Sequence, residues 1–198
     1  MASPRELLNR LDLVKETVEL GGRTLAILRP RNAEALLDEQ AFEREEFLPY
    51  WAELWASGLA LARAVAERDV SALSVLELGC GLALPSLAAA LGGAQVLATD
   101  WSPDAVTLLR ENARRNELEL ETAVVAWAQP GELVARAPWD LVLAADVLYE
   151  RRNVDELLAL LPRLDAREVL VMDPGRPHAK SFFERAAGLG NVSALRPA

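Results

Sequence analysis

The 198-residue sequence predicts a doubly wound α/β domain on a mostly parallel sheet, and three observations point there. From residue 73 onward, short apolar runs alternate with stretches of helical period. Those runs, Leu141-Val-Leu-Ala-Ala145 among them, lack the in–out alternation of a half-exposed strand and suit a sheet covered on both faces. Residues chemically odd for a core gather where the runs end, which is where doubly wound folds bind ligands.

In chain order, Thr17 to Leu28 forms two alternating runs joined by Gly21-Gly22, a hairpin pattern that Pro30 ends. Residues 32–46 read as a polar helix or lid-like segment, in which the Glu-rich stretch 39–46 is most simply a solvated face. Leu48 onward leads into a helix running to about Glu67. Strands are expected at 75–79, 95–99, 121–127, 139–145 and 167–172. Helices are expected at about 84–91, 103–116, 153–161 and 179–187. Ser102 with Pro103 marks the start of the second of these, and Asn153 with Glu156 reads as a capping box on the third. With no repeat or linker, residues 1–198 read as one domain. Residues 1–70 would form an N-terminal hairpin and helical extension, and residues 73–198 the ligand-binding core.

Composition excludes several classes. A net charge of −9 argues against a phosphate-backbone binder, so no nucleic-acid partner is expected, whereas a basic protein partner would suit it. One cysteine, Cys80, and one histidine, His178, leave no ligand set for a disulfide framework or a zinc site, so no metal is expected. The first 19 residues are broken by charges and lack a signal-peptide core. The longest apolar run, Leu82 to Leu91, is too short to span a bilayer and contains Pro85. A cytoplasmic protein with no membrane contact is the expectation.

The ligand signal centres on Val75-Leu-Glu-Leu-Gly-Cys-Gly81. Glycines let backbone approach a ligand, and the helix that follows aims N–H groups at the same place. Glu77 is a carboxylate inside an apolar run, and burying it ionised demands a polar partner. Asp100, 21 residues after Gly79, sits where a carboxylate can accept both hydroxyls of a ribose. A nicotinamide dinucleotide fits poorly, because bulky Leu84 stands where its fingerprint needs a small third residue. Cys80 reads as a turn filler, His178 as a solvent-facing loop residue and Trp139 as core. Trp51 and Trp55, four apart, and Trp101 could each be explained by helix packing alone.

The 75–81 motif, with Asp100 closing the second core strand, resembles the class I (seven-β-strand) S-adenosylmethionine methyltransferases. Asp146-x-x-Tyr149 after the fourth strand resembles the protein-lysine group, methyltransferase family 16. Trp51-Ala-Glu-Leu-Trp-Ala-Ser-Gly58 and Asp173-Pro-Gly-Arg-Pro177 look most like its electron-transfer-flavoprotein β-subunit lysine methyltransferase branch. The resemblance covers roughly residues 17–185. It implies a Rossmann-like core that binds S-adenosyl-L-methionine and releases S-adenosyl-L-homocysteine.

By that resemblance Glu77, Gly79 and Gly81 would line the methionine part of the cofactor, and Asp100 would hold its ribose. Trp101 and Trp127 would flank the adenine, Trp55 with the Ser57-Gly58 turn would close over the cofactor, and Cys80 and Ala145 would complete that wall. Asp146 and Tyr149 would be the catalytic pair facing the substrate nitrogen. Two departures stand out. Ala83 replaces a third glycine, and only Asn191 to Pro197 remains where the family finishes with two further strands, one antiparallel. Six central strands, or an edge completed by the hairpin, would each fit that shortened end. The implied function is N-methylation of a protein lysine; a small-molecule amine, another protein side chain, or cofactor binding without turnover are the alternatives.

Overall fold

The computed structural model describes residues 8, 11–33, 36 and 50–197. Most of the expected polar or lid-like segment at 32–46, including the Glu-rich stretch 39–46, lies outside the described residues.

Strands β1 (Leu13–Leu20) and β2 (Arg23–Pro30) form the hairpin, longer at both ends than the alternation suggested. Gly21 and Gly22 both take positive φ (56° and 75°), as the tight two-residue hairpin turn requires. Pro30 is the last paired residue, opposite Leu13. A 3₁₀ turn at Tyr50–Ala52 precedes helix α1 (Ala56–Ala66), so the helix starts later than the apolar run from Leu48 suggested.

The core follows as β3 (Ser74–Leu78), α2 (Leu84–Leu91), β4 (Gln95–Asp100), α3 (Pro103–Arg115) and β5 (Glu121–Val124). After these come α4 (Gly131–Ala135), β6 (Leu141–Ala145), α5 (Arg151–Leu160), β7 (Glu168–Met172), α6 (Ala179–Ala186) and β8 (Val192–Leu195). The sheet order is β5-β4-β3-β6-β7-β8, and every neighbouring pair is parallel. Asn191 to Pro197 thus supplies a sixth, parallel strand. The hairpin forms a sheet of its own and does not complete the edge.

Both faces of the sheet are covered, which is why its strands read as unbroken apolar runs. Val75, Val96, Ala98, Leu141 and Leu143 pack with α1, α2 and the hairpin. Leu76, Leu78, Val142, Ala144 and Val171 pack on the other side with Trp139, α5 and α6. Trp139 is core, as expected, although its strand begins two residues later.

Among the local devices, one expected cap forms and two features differ from the sequence reading. Ser102 caps α3, its Oγ accepting the Ala105 N–H at 3.3 Å. The Asn153–Glu156 capping box does not form: α5 already begins at Arg151, and Asn153 instead donates to the Val147 carbonyl at 3.0 Å. The second feature fastens the hairpin. Asn112 accepts the Leu28 N–H at 2.8 Å and donates to the Leu28 carbonyl at 3.0 Å. Asn116, one turn on, accepts the Ala26 N–H at 2.8 Å and donates to the Ala26 carbonyl at 2.9 Å. Two side-chain amides therefore stand in for a neighbouring strand along β2.

Candidate active site

The chain runs outward from β3 through β4 to β5, then returns to β6 on the other side of β3. Such a reversal opens a crevice at the carboxyl ends of the strands. There lies a cavity of about 380 Å³, in the range of small-molecule sites.

The turn after β3 forms its floor. Gly79 (φ 66°) and Gly81 (φ 51°) occupy the left-handed region that favours glycine. A Cβ on Gly81 would lie 3.2 Å from the Trp51 carbonyl oxygen, so this turn and the 3₁₀ segment need a glycine to meet as closely as they do. A Cβ on Gly79 would lie 3.0 Å from Val147 and 3.4 Å from the Trp127 ring. Cys80 sits between them, buried, with its thiol pushed well above its ordinary pKa by burial. Ala83, in place of the third glycine, adopts φ 56° itself.

Asp100, at the end of β4, holds this turn in place. Its carboxylate accepts the Gly81 N–H and the Ser102 N–H, each at 2.9 Å. Burial raises its pKa above the usual carboxylate value, with those amides pulling the other way. Trp101 and Trp127 line the same cavity, as do Trp55, Gly58 and Ala145. Asp146 and Tyr149 also line the cavity, so the structure gathers eleven of the thirteen expected residues around one space.

Glu77 and Ser57 are the other two, both buried and neither on the cavity wall. The partner that Glu77 demanded is internal: its carboxylate accepts the Ser86 backbone N–H at 2.8 Å. Burial lifts its pKa from 4.5 to about 8.

The mouth is a ring of side chains, part of which the sequence did not announce. The Tyr149 ring packs on Tyr50 (centroids 4.9 Å apart), and Tyr50 meets Trp55 edge-on at 6.2 Å. Trp55 Nε1 also donates to the Tyr50 carbonyl at 2.7 Å. Across from Trp55, Arg176 lays its guanidinium over the indole, 5.5 Å from the ring centroid, and forms a salt bridge with Asp146. Asp146 itself takes φ 57° and is 8% exposed. The backbone from Asp146 to Tyr149 closes the ring. Burial raises the Tyr149 phenol pKa, partly offset by the Asn153 side chain. Glu53, Arg152 and Glu156 add charge around the opening. Arg176 stood inside the Asp173-Pro-Gly-Arg motif, but nothing in the sequence tied it to Asp146, 30 residues earlier.

Among the described residues no cluster of three or more metal-ligating side chains occurs, and no helix is long and apolar enough to cross a membrane.

Comparison with known proteins agrees with this geometry. A family model described as lysine methyltransferase matches residues 46–188. The chain is similar to the electron transfer flavoprotein beta subunit lysine methyltransferase of Xenopus laevis, 35% identical over 141 residues, or 67% of this chain and 55% of that protein. It is also similar to histone-arginine methyltransferase METTL23 of Homo sapiens, 30% identical over 114 residues, or 54% of this chain and 60% of that protein. The matched stretch is thus little more than half the length of either relative. Among solved structures, the 16S rRNA N2 G1207 methyltransferase of T. thermophilus, in complex with AdoMet and guanosine, aligns with a TM-score of 0.62 at 16% identity, over 87% of this chain and 45% of that one. That likeness speaks for the fold, the Rossmann-like architecture of class I methyltransferases.

Proposed function

The chain belongs to the lysine methyltransferase family, and on that premise we propose that it transfers a methyl group from S-adenosylmethionine to the side-chain nitrogen of a protein lysine. One observation carries the reading: Asp146 and Tyr149 border the same cavity as the Gly79–Gly81 turn and Asp100. The residues fit the cofactor. Glycine backbone gives a close floor for its methionine part, the Asp100 carboxylate suits a ribose diol, and Trp101 and Trp127 offer apolar faces to adenine.

When bound, the sulfonium supplies an electrophilic methyl: the nitrogen lone pair forms the N–C bond, the C–S electrons return to sulfur to leave S-adenosylhomocysteine, and the nitrogen's surplus proton passes to water. The protein's work is alignment, so its poverty in His and Cys is no obstacle. The acceptor must arrive neutral, which for a lysine of pKa near 10.4 costs roughly 4–5 kcal/mol at pH 7. The aromatic ring of Tyr50, Trp55 and Tyr149 lowers that cost by desolvating the amine, and Asp146 orients it.

We read the chain as one domain whose hairpin and helical extension serve the core, and as a cytoplasmic protein, in keeping with a lone cysteine. Its partner would be a protein, and the net charge of −9 favours a basic one. Calorimetry with S-adenosylmethionine tests the pocket: binding in the micromolar range is expected, and none at high micromolar concentration rejects the scheme. Labelled cofactor with cell lysate then tests turnover. Mass spectrometry of the labelled band separates lysine from arginine, label confined to the low-molecular-weight fraction marks a small-molecule amine, and an unlabelled lysate with intact binding marks a silent binder.

A further inference from the structure

We propose that Arg176 is a positioning residue for methyl transfer: it neutralises Asp146 from behind and locks that carboxylate to Trp55, so the acceptor amine meets a charge-balanced, aromatic mouth. This rests on the lysine methyltransferase reading above.

The geometry assigns Arg176 a structural task with a chemical result. It is not among the residues lining the cavity, whereas both of its partners, Asp146 and Trp55, are. Its side chain is 29% exposed and that of Asp146 only 6%, so the pair is shielded from water mainly on the carboxylate side. The turn that presents Arg176 is itself fixed. Asp173, 2% exposed, accepts the backbone N–H groups of Gly175 and Arg176, both at 2.7 Å. A guanidinium bonded to a carboxylate and set over an indole is held from two sides.

A carboxylate alone beside an acceptor amine would stabilise the ammonium form, raising the amine pKa by about 1–3 units. That is the wrong direction for a nucleophile. With Arg176 bound, Asp146 can still accept a hydrogen bond and orient the amine, but its field is largely cancelled. The other charges near the mouth do not supply this balance. Glu53, Glu156 and Asp100 are acidic, Tyr149 is neutral at physiological pH, and Arg152 already has Glu150 as a partner at 3.0 Å. Asp173, beside Arg176, adds a further carboxylate.

The test is the pH dependence of initial rate, from pH 6 to 10, using saturating labelled S-adenosylmethionine and a saturating amount of the purified protein from the strongest labelled band of a cell lysate, so that the acidic limb reports the bound amine. Arg176→Gln is expected to lower the rate at pH 7 by about 10–100-fold and to move the acidic limb up by about one pH unit. Arg176→Lys should keep the limb near its wild-type place, with a smaller loss that remains because ammonium cannot reproduce both the guanidinium's contact with the Trp55 ring and its bond to Asp146. Calorimetry should give cofactor affinities within about threefold for all three proteins. A uniform loss across pH in Arg176→Gln, or a limb in Arg176→Lys displaced as far as in Arg176→Gln, overturns the proposal, as does a large fall in cofactor affinity. A wild type that binds cofactor but labels nothing overturns the methyltransferase reading, and this proposal with it.

Discussion

Glu77 reaches from β3 to the first turn of α2, where its carboxylate accepts the Ser86 N–H at 2.8 Å. Ala83, the capping residue just before the helix, has no side-chain acceptor to offer, so a neighbouring strand provides the cap. This cap titrates. In the unfolded chain Glu77 loses its proton near 4.5, whereas burial delays the loss in the folded protein to about pH 8. Between those values the folded state binds more protons than the unfolded state, so stability falls as pH rises through the window and levels off above it. Glu77→Gln keeps an acceptor for Ser86 and removes the titration. Urea midpoints of the wild type should therefore drop relative to Glu77→Gln from pH 5 to pH 8; parallel curves would show that Glu77 ionises normally.

The glycine turn tolerates little added bulk. Gly81→Ala places a methyl 3.2 Å from the Trp51 carbonyl in a backbone conformation of φ 51°. The turn and the Trp51 segment must then separate. A loss of cofactor affinity of about tenfold is expected by calorimetry, corresponding to about 1.4 kcal/mol. Unchanged affinity would place the cofactor away from this turn.

Asp146 and Tyr149 should separate binding from chemistry. Asp146→Asn removes the charge that orients an amine and leaves Arg176 without its ion pair. It is expected to cut turnover by at least about 100-fold, with cofactor affinity within a few-fold of wild type. Tyr149→Phe keeps the ring stacked on Tyr50 and should cost about tenfold or less. Wild-type turnover in both variants would remove the pair from the mechanism.

Asn112 is fully buried, and its amide satisfies both backbone groups of Leu28. Asn112→Ala leaves a buried N–H and a buried C=O without partners, at about 1–3 kcal/mol each. Chemical denaturation should show a loss of about 2–4 kcal/mol, since water reaches part of the gap. Asn116→Ala, at an 8% exposed position, should cost less.

The sheet was legible because burial on both faces leaves a strand no choice but an apolar run, and β3, β4, β6 and β7 fall within two residues of their expected bounds. Gly79, Gly81 and Asp100 were legible for a related reason: each is costly or odd in a core, and each stands at a strand end. What escaped depends on relations between distant residues. On α3, Asn112 looks like any polar residue of an amphipathic helix, and only the docked hairpin shows that it is buried. Arg176 directly follows Gly175, and its side chain finds Asp146 only once β6 and β7 are paired. The misread cap at Asn153 has a local cause. Arg151 and Arg152 are good helix formers, so α5 starts before the polar residue that resembled its boundary.

The twin asparagines also act as a ruler. Four residues of helix rise about 6.0 Å, and two residues of strand about 6.8 Å. Asn112 and Asn116 therefore match Leu28 and Ala26 together, and a one-residue slide would offer them the groups of the opposite strand edge. Leu25 and Ile27 are kept inward by the helix as well as by the turn. A residue inserted between Gly21 and Gly22 would thus be absorbed by β1, while β2 stayed in place against α3.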